Sequence, residues 1–326
     1  MAAAISDKNA FQRALRSARH IVVLAGAGLS AALPDSHQLY PLPSPFLYLT
    51  FFVMAHFSNA SPKLYVSSPP YYSRRVGGAG EGGLWRTHDA MSLATPRAFR
   101  ANPSRVWQFY HYRRELVLTR EPNRAHKALV AFEQKILSQA NSQSSDTPAQ
   151  TFALITQNID GLSAGVQNLI EMHGMLFKNR CTICGDVREN RDSPIVPALA
   201  GTENEEAERE IALEDLPKCG ECGGLLRPHV VWFEESLETS VLARIQQELL
   251  RCDLLMIVGT SGLVYPAAGF RHAVKMRNPQ TVVANFNIVP MERVDESLET
   301  GIDFEFIGPC GQTLPEALDV EEEVNR

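Results

Sequence analysis

The sequence predicts an α/β fold: a doubly wound parallel sheet with a smaller cysteine-bearing module and a helical insertion. Three observations predict it. Short β-branched apolar runs alternate with helical patterns, as strands covered on both faces by crossover helices do. The first such run ends in a glycine-rich turn, where a parallel strand passes tightly into a helix. Between Asn179 and Arg227 the periodicity stops and two C-x-x-C pairs appear, which marks a segment with its own small structure.

Residues 5–19 are basic and amphipathic. They resemble a transit peptide in composition, yet they run without a break into the strand His20–Ala25, so a first helix of the fold is expected. Further strands are predicted at Phe152–Thr156, Leu254–Val258 and Thr281–Phe286, and helices at Pro103–Leu118, Arg124–Gln139 and Leu237–Leu250. Residues 1–178 and 226–326 are assigned to the sheet domain, which is Rossmann-like, with 84–122 as the helical insertion and 179–225 as the cysteine module. Residues 33–75 stand apart: seven of the 20 prolines and nine of the 26 aromatic residues fall there, with four charged residues. That suits neither a core nor a solvated loop, and so long a connection inside a compact domain is improbable. The segment reads as an embellishment or as translated intron.

Composition excludes several classes. With 326 residues, 44% hydrophobic and 21% charged, the chain is neither disordered nor fibrous. Thirty-seven acids against 31 Lys and Arg give a net charge of −6, the wrong sign for a protein that lives on phosphate backbones. No run approaches the roughly 18 apolar residues of a membrane span. A monomer without direct contact to nucleic acid or membrane is expected. The compartment is expected to be mitochondrial, or cytoplasmic or nuclear, with no clear presequence.

Gly26-Ala27-Gly28-Leu29-Ser30-Ala31 matches G-x-G-x-x-G/A directly after a predicted strand, where bare backbone lets a pyrophosphate approach a helix N-terminus. A turn that merely reverses the chain is the alternative. No acidic residue follows at the spacing that holds a ribose in ordinary dehydrogenases. Cys181-Thr182-Ile183-Cys184 and Cys219-Gly220-Glu221-Cys222 supply four thiolates for one tetrahedral, structural Zn²⁺; unliganded thiols or a redox pair are the alternative. Gln157-Asn158-Ile159-Asp160 follows the strand Phe152–Thr156, so its polar groups emerge at the carboxyl end of the sheet. His173, in Met172-His173-Gly174, and Gly259-Thr260-Ser261 are expected on that same edge. A satisfied core or turn histidine is the plainer reading of His173 alone.

Together these residues resemble the sirtuins, the NAD-dependent protein lysine deacylases. The matching pieces are residues 26–31, Gly-Ala-Gly-Glu-Gly-Gly-Leu-Trp-Arg at 78–86, Thr-Gln-Asn-Ile-Asp at 156–160, Met172-His173-Gly174, the cysteine pairs, Leu-Arg-Pro-His-Val-Val-Trp-Phe at 226–233, and Val-Gly-Thr-Ser at 258–261. Within the family the desuccinylase/demalonylase branch matches best through Tyr110-x-x-Arg113 and a small residue, Ala94. The resemblance implies that Tyr110 and Arg113 bind the carboxylate of a succinyl, malonyl or glutaryl group in an acyl pocket that Ala94 keeps wide, acetyl being a weaker substrate. A guanidinium and a phenol suit that task, the first as a bidentate charged donor and the second as a further donor. A Tyr and an Arg on a helix surface at i,i+3 are the alternative.

NAD, a co-substrate, would lie against Gly26, Ala27, Gly28, Ser30 and Ala31, with its adenosine end near Gly259, Thr260, Ser261, Asn287 and the Cys310 backbone. Gln157, Asn158, Ile159 and Asp160 would hold nicotinamide and its ribose. His173 would be the general base, and nicotinamide, free lysine and O-acyl-ADP-ribose the products. Acyl-lysine proteins, the implied partners, would dock as a strand beside Val231, Trp232, Phe233 and residues 262–265. The chain departs from the family in two places. Residues 33–75 replace a short stretch whose Phe-Arg closes over NAD, leaving Arg75 or Arg74 as stand-in, and Glu234 takes the place of a glycine. The first departure gives the alternative: a catalytically impaired sirtuin that still binds NAD or acyl-lysine.

Overall fold

The computed structural model describes residues 7–30, 84–85, 88–142, 149–204, 209–260, 262, 264–288 and 301–325. Ala31, Arg75 and Ser261, the segment 33–75 and most of the 78–86 motif lie outside the described residues. The chain opens with α1 (Lys8–Ser17), β1 (His20–Ala25), β2 (Leu84–Trp85), β3 (His88–Asp89), α2 (Ala90–Leu93), α3 (Pro96–Ala101), α4 (Pro103–Leu118) and α5 (Arg124–Ser142). It continues through β4 (Thr151–Thr156), β5 (Leu169–Glu171), β6 (Gly174–Cys181), β7 (Val187–Glu189), β8 (Leu226–Val230) and α6 (Thr239–Arg251). The last elements are β9 (Leu254–Val258), α7 (Phe270–Arg277), β10 (Val282–Asn287), β11 (Phe304–Ile307), α8 (Cys310–Leu318) and α9 (Glu321–Val324). None of the described helices is long and apolar enough to cross a membrane.

The predicted elements form with ends shifted by a few residues. The last predicted strand starts one residue late because Thr281 closes a turn, its N–H donating to Asn278 O at 3.0 Å. Helix α6 begins at Thr239, with Glu238 O accepting from Leu242 N at 2.9 Å. The basic N-terminal stretch is helix α1, started by Asp7, whose carboxylate accepts from Asn9 N at 2.9 Å.

Contacts divide the chain into two compact units. The first comprises residues 1–36, 117–177 and 237–326, the second residues 37–116 and 178–236. In the first, six strands stand in the order β11-β10-β9-β1-β4-β5, and every pairing is parallel. Numbered within the sheet, this is the 3-2-1-4-5-6 order of dinucleotide-binding folds, with its topological switch between β1 and β9. Strand β1 alternates its faces. Ile21, Val23 and Ala25 pack with Phe11, Phe132 and Leu314, while Val22 and Leu24 pack with Ile245 and Phe270. Burial on both faces explains why the strand reads as an unbroken apolar run.

The second unit combines α2, α3 and most of α4 with the antiparallel pair β6–β7 and strand β8. Polar side chains of α4 fasten the long aperiodic segment. Trp107 Nε1 donates to Leu226 O at 2.9 Å, Gln108 Nε2 to Arg209 O at 2.6 Å, and Arg114 Nη2 to Asn190 O at 2.9 Å. A segment too polar to form a core is thus ordered by donors that meet its main-chain carbonyls.

Candidate functional site

In the first unit the glycine loop after β1 and the loop after β9 touch main chain to main chain. Gly26 N donates to Val258 O at 2.9 Å and Gly28 N to Gly259 O at 2.6 Å. A Cβ at Gly28 would sit 2.5 Å from Gly259 Cα, and one at Gly259, whose φ is +60°, would sit 2.2 Å from Leu29 N. These glycines are therefore required first by loop-on-loop packing at the switch point.

Buried polar groups brace the loop from beneath. Ser30 Oγ donates to Asp160 Oδ2 at 2.9 Å, and Asn158 Nδ2 reaches Gly26 O at 3.1 Å and Ser30 Oγ at 3.3 Å. The other Asp160 oxygen accepts from Leu162 N at 2.9 Å. Ile159 is buried, and its carbonyl accepts from Leu176 N at 2.8 Å. Gln157 Nε2 donates to Thr260 Oγ1 at 3.1 Å, and Asn287 Nδ2 donates to Thr260 O at 3.0 Å, which joins three strand ends. Cys310 opens α8, buried, with its thiol on Phe286 O at 3.4 Å; burial pushes that thiol up to about 11.

His173 is half-buried just after β5. Its Nδ1 lies 3.0 Å from Gln157 O. A carbonyl oxygen can only accept, so Nδ1 carries the proton and the neutral ring keeps its lone pair on Nε2, the tautomer a general base needs. Burial lowers its pKa from 6.5, the carbonyl contact opposing in part.

Sequence reasoning passed over His126. It is buried, its Nε2 lies 3.5 Å from Ser30 Oγ, and Asn123 holds its other edge, with Asn123 Oδ1 capping α5 at Ala125 N and His126 N. Burial lowers the His126 pKa and the Asp160 carboxylate pulls it back. The legible signal was Asn three residues before His at a helix start.

The residues of this unit fit a dinucleotide. The two glycine loops lie past the carboxyl ends of adjacent parallel strands where strand order reverses, with buried polar atoms of Ser30, Asn158 and Asp160 among them.

In the second unit the four cysteine Sγ atoms lie within 4.8 Å of one another, with Cys181–Cys222 at 3.4 Å and Cys184–Cys219 at 3.7 Å. Tetrahedral Zn–S bonds of about 2.3 Å demand sulfurs roughly 3.8 Å apart, so the set fits zinc. The N–H groups of Cys184 and Ile183 point at Cys181 Sγ, both at 3.4 Å, and hold its pKa down to about 6.

Tyr110 and Arg113 lie on α4, both buried. The Arg113 guanidinium stands 5.4 Å from the Phe109 ring centre and 5.9 Å from that of Tyr110. Ala94 is half-buried before α3, and its carbonyl accepts from Phe233 N at 3.0 Å. Trp232 N donates to Glu235 Oε2 at 2.9 Å. Two main-chain donors of the 231–233 segment are therefore engaged within the chain, and β8 ends before it, at Val230. Glu234 adopts φ +74°, the left-handed region that favours glycine.

A model of the Sir2 family matches residues 78–266. The "NAD-dependent protein deacylase sirtuin-5, mitochondrial" of Xenopus tropicalis is 42% identical over 325 residues, 98% of this chain and 87% of that protein. An NAD-dependent protein deacylase of Daphnia pulex is 41% identical, covering 96% of both chains. Among solved structures, a Sir2 homologue in complex with NAD superposes with TM-score 0.62 at 29% identity, covering 98% of this chain and 95% of that one.

Proposed function

Because this chain belongs to the Sir2 family, we propose that it acts as an NAD-dependent protein lysine deacylase and prefers succinyl, malonyl and glutaryl groups to acetyl. The observation that carries the reading is His173, fixed through Nδ1 on Gln157 O with Nε2 left as base. NAD would supply an activated ribose carbon, at which the acyl oxygen of the modified lysine displaces nicotinamide. Gly26, Ala27, Gly28 and Ser30 would hold its pyrophosphate, Asn158 and Asp160 its nicotinamide and ribose, and Gly259, Thr260 and Asn287 its adenosine end. His173 takes a ribose hydroxyl proton at Nε2. Arg113 and Tyr110 take the acyl carboxylate by charge-assisted hydrogen bonds.

Cys181, Cys184, Cys219 and Cys222 would hold one zinc, which with four thiolate ligands would serve to fix local structure and not to bind substrate. In this reading the protein is a monomer that works on acyl-lysine proteins in the mitochondrion, where the named sirtuin-5 relatives reside.

The test is nicotinamide release with succinyl-lysine and acetyl-lysine peptides. The succinyl peptide is expected to turn over faster, and Arg113→Met to remove that advantage while leaving acetyl turnover in place. Binding of NAD with no nicotinamide release from either peptide would instead establish the impaired, ligand-binding alternative.

A further inference from the structure

Tyr110 is fully buried, and its hydroxyl accepts a hydrogen bond from Trp232 Nε1 at 2.8 Å. An indole nitrogen only donates, so the phenol must accept there, and its own proton has to point elsewhere. No acceptor for that proton is found among the described residues. Directed away from Trp232, the phenolic proton can serve a ligand acceptor. Arg113, whose guanidinium lies near the Tyr110 ring, accepts nothing. A carboxylate, which only accepts, suits a phenolic donor and a guanidinium alike. Burial pushes the Tyr110 phenol up to about 12, so it remains a donor at neutral pH.

Trp232 is itself pinned. The Arg227 guanidinium sits 3.4 Å over its ring, and that guanidinium is forked onto Glu235 at 2.6 and 2.9 Å. The same Glu235 accepts the Trp232 main-chain N–H, and Phe99 packs on the ring at 5.2 Å between centres. A side chain needed only as apolar filler requires none of this polar anchoring.

We propose that Trp232 is a specificity-determining positioning residue: its indole N–H locks the Tyr110 hydroxyl as an acceptor, so that the phenolic proton is presented to the carboxylate of an acidic acyl group. This rests on the acyl preference proposed above.

The experiment measures kcat and KM of the full chain with succinyl-lysine and acetyl-lysine peptides for wild type, Trp232→Phe, Tyr110→Phe and the double variant. Phe keeps an aromatic ring at this position and removes the N–H. Trp232→Phe is expected to lose about tenfold in kcat/KM on the succinyl peptide, through KM, and to lose less on the acetyl peptide, so that the succinyl-to-acetyl ratio falls. In the Tyr110→Phe background the second substitution is expected to add nothing. Equal loss on both peptides, a loss that adds to that of Tyr110→Phe, or no loss on succinyl would overturn the role of Trp232. If wild type itself shows no preference for succinyl, the acyl reading falls and this inference with it. Should Trp232→Phe not fold, replacing Trp232 by 3-benzothienylalanine, which has the indole shape without the N–H, reads the same contrast.

Discussion

The two units build their sites from different parts of the chain. In the first, the contact at the switch point is main chain on main chain: glycines at 26, 28 and 259 approach so closely that any Cβ would collide. In the second, side chains do the organising, through four thiolates, the Arg227–Glu235 fork and the Trp232–Tyr110 bond. A backbone contact tolerates one residue type and so writes itself into the sequence as a motif. A side-chain contact needs two residues that meet only in the fold.

The sharpest break in that comparison is the loss of a thiolate. Structural zinc contributes on the order of 10 kcal/mol to small sites, so Cys219→Ser is expected to bring bound zinc from one per chain to none and to unfold the second unit around residues 178–236. Zinc analysis and hydrogen exchange on the purified variant check this. Retention of one zinc by the remaining three cysteines with native protection would show that the segment is held by α4 instead.

Next in size is His173→Ala, expected to lower kcat by about 10²–10⁴ with NAD binding retained. The pH profile sharpens the assignment. Only the neutral ring is a base, and burial lowers its pKa from 6.5, so the midpoint of the acid limb is expected below pH 6.5. An acid midpoint above 6.5 would sink the role given to burial.

Gly259→Ala tests the main-chain contact directly. With φ at +60° and Leu29 N at 2.2 Å from the added methyl, a loss of about 2–4 kcal/mol in unfolding free energy is expected, together with weaker NAD binding. Thermal melts with and without NAD measure both. An unchanged melting temperature would mean that the two loops are not locked together.

The contrast between the units also explains what could be read in advance. The sheet was legible because strands buried on both faces must be largely apolar, as β1 from Ile21 onward and all of β9 are. The glycine loop, the cysteine pairs and the polar strand end at Gln157–Asp160 were legible because each requires particular residue types at fixed local spacing. The Trp232–Tyr110 bond was not, since its partners lie 122 residues apart and an indole in an apolar run looks like core. His126 was missed for the same reason. Its partner Ser30 and the Asp160 carboxylate that acts on it belong to other elements, and only Asn123 is near in sequence.

The smallest expected effect lies at Glu234. The family resemblance puts a glycine there, and the observed φ of +74° supplies the reason. An L side chain in that region costs about 1–2 kcal/mol, while glycine gives back part of that through the freedom of its unfolded chain. Glu234→Gly is therefore expected to raise stability by about 0.5–1 kcal/mol, read as a small upward shift in the denaturant midpoint. Glu234 is exposed, so the gain comes from the backbone rather than from any contact removed. Glu234→Ala keeps the strain while deleting the charge, and it should leave the midpoint where it is. If Ala stabilises as much as Gly, repulsion by the Glu234 carboxylate, not its backbone, limits this segment.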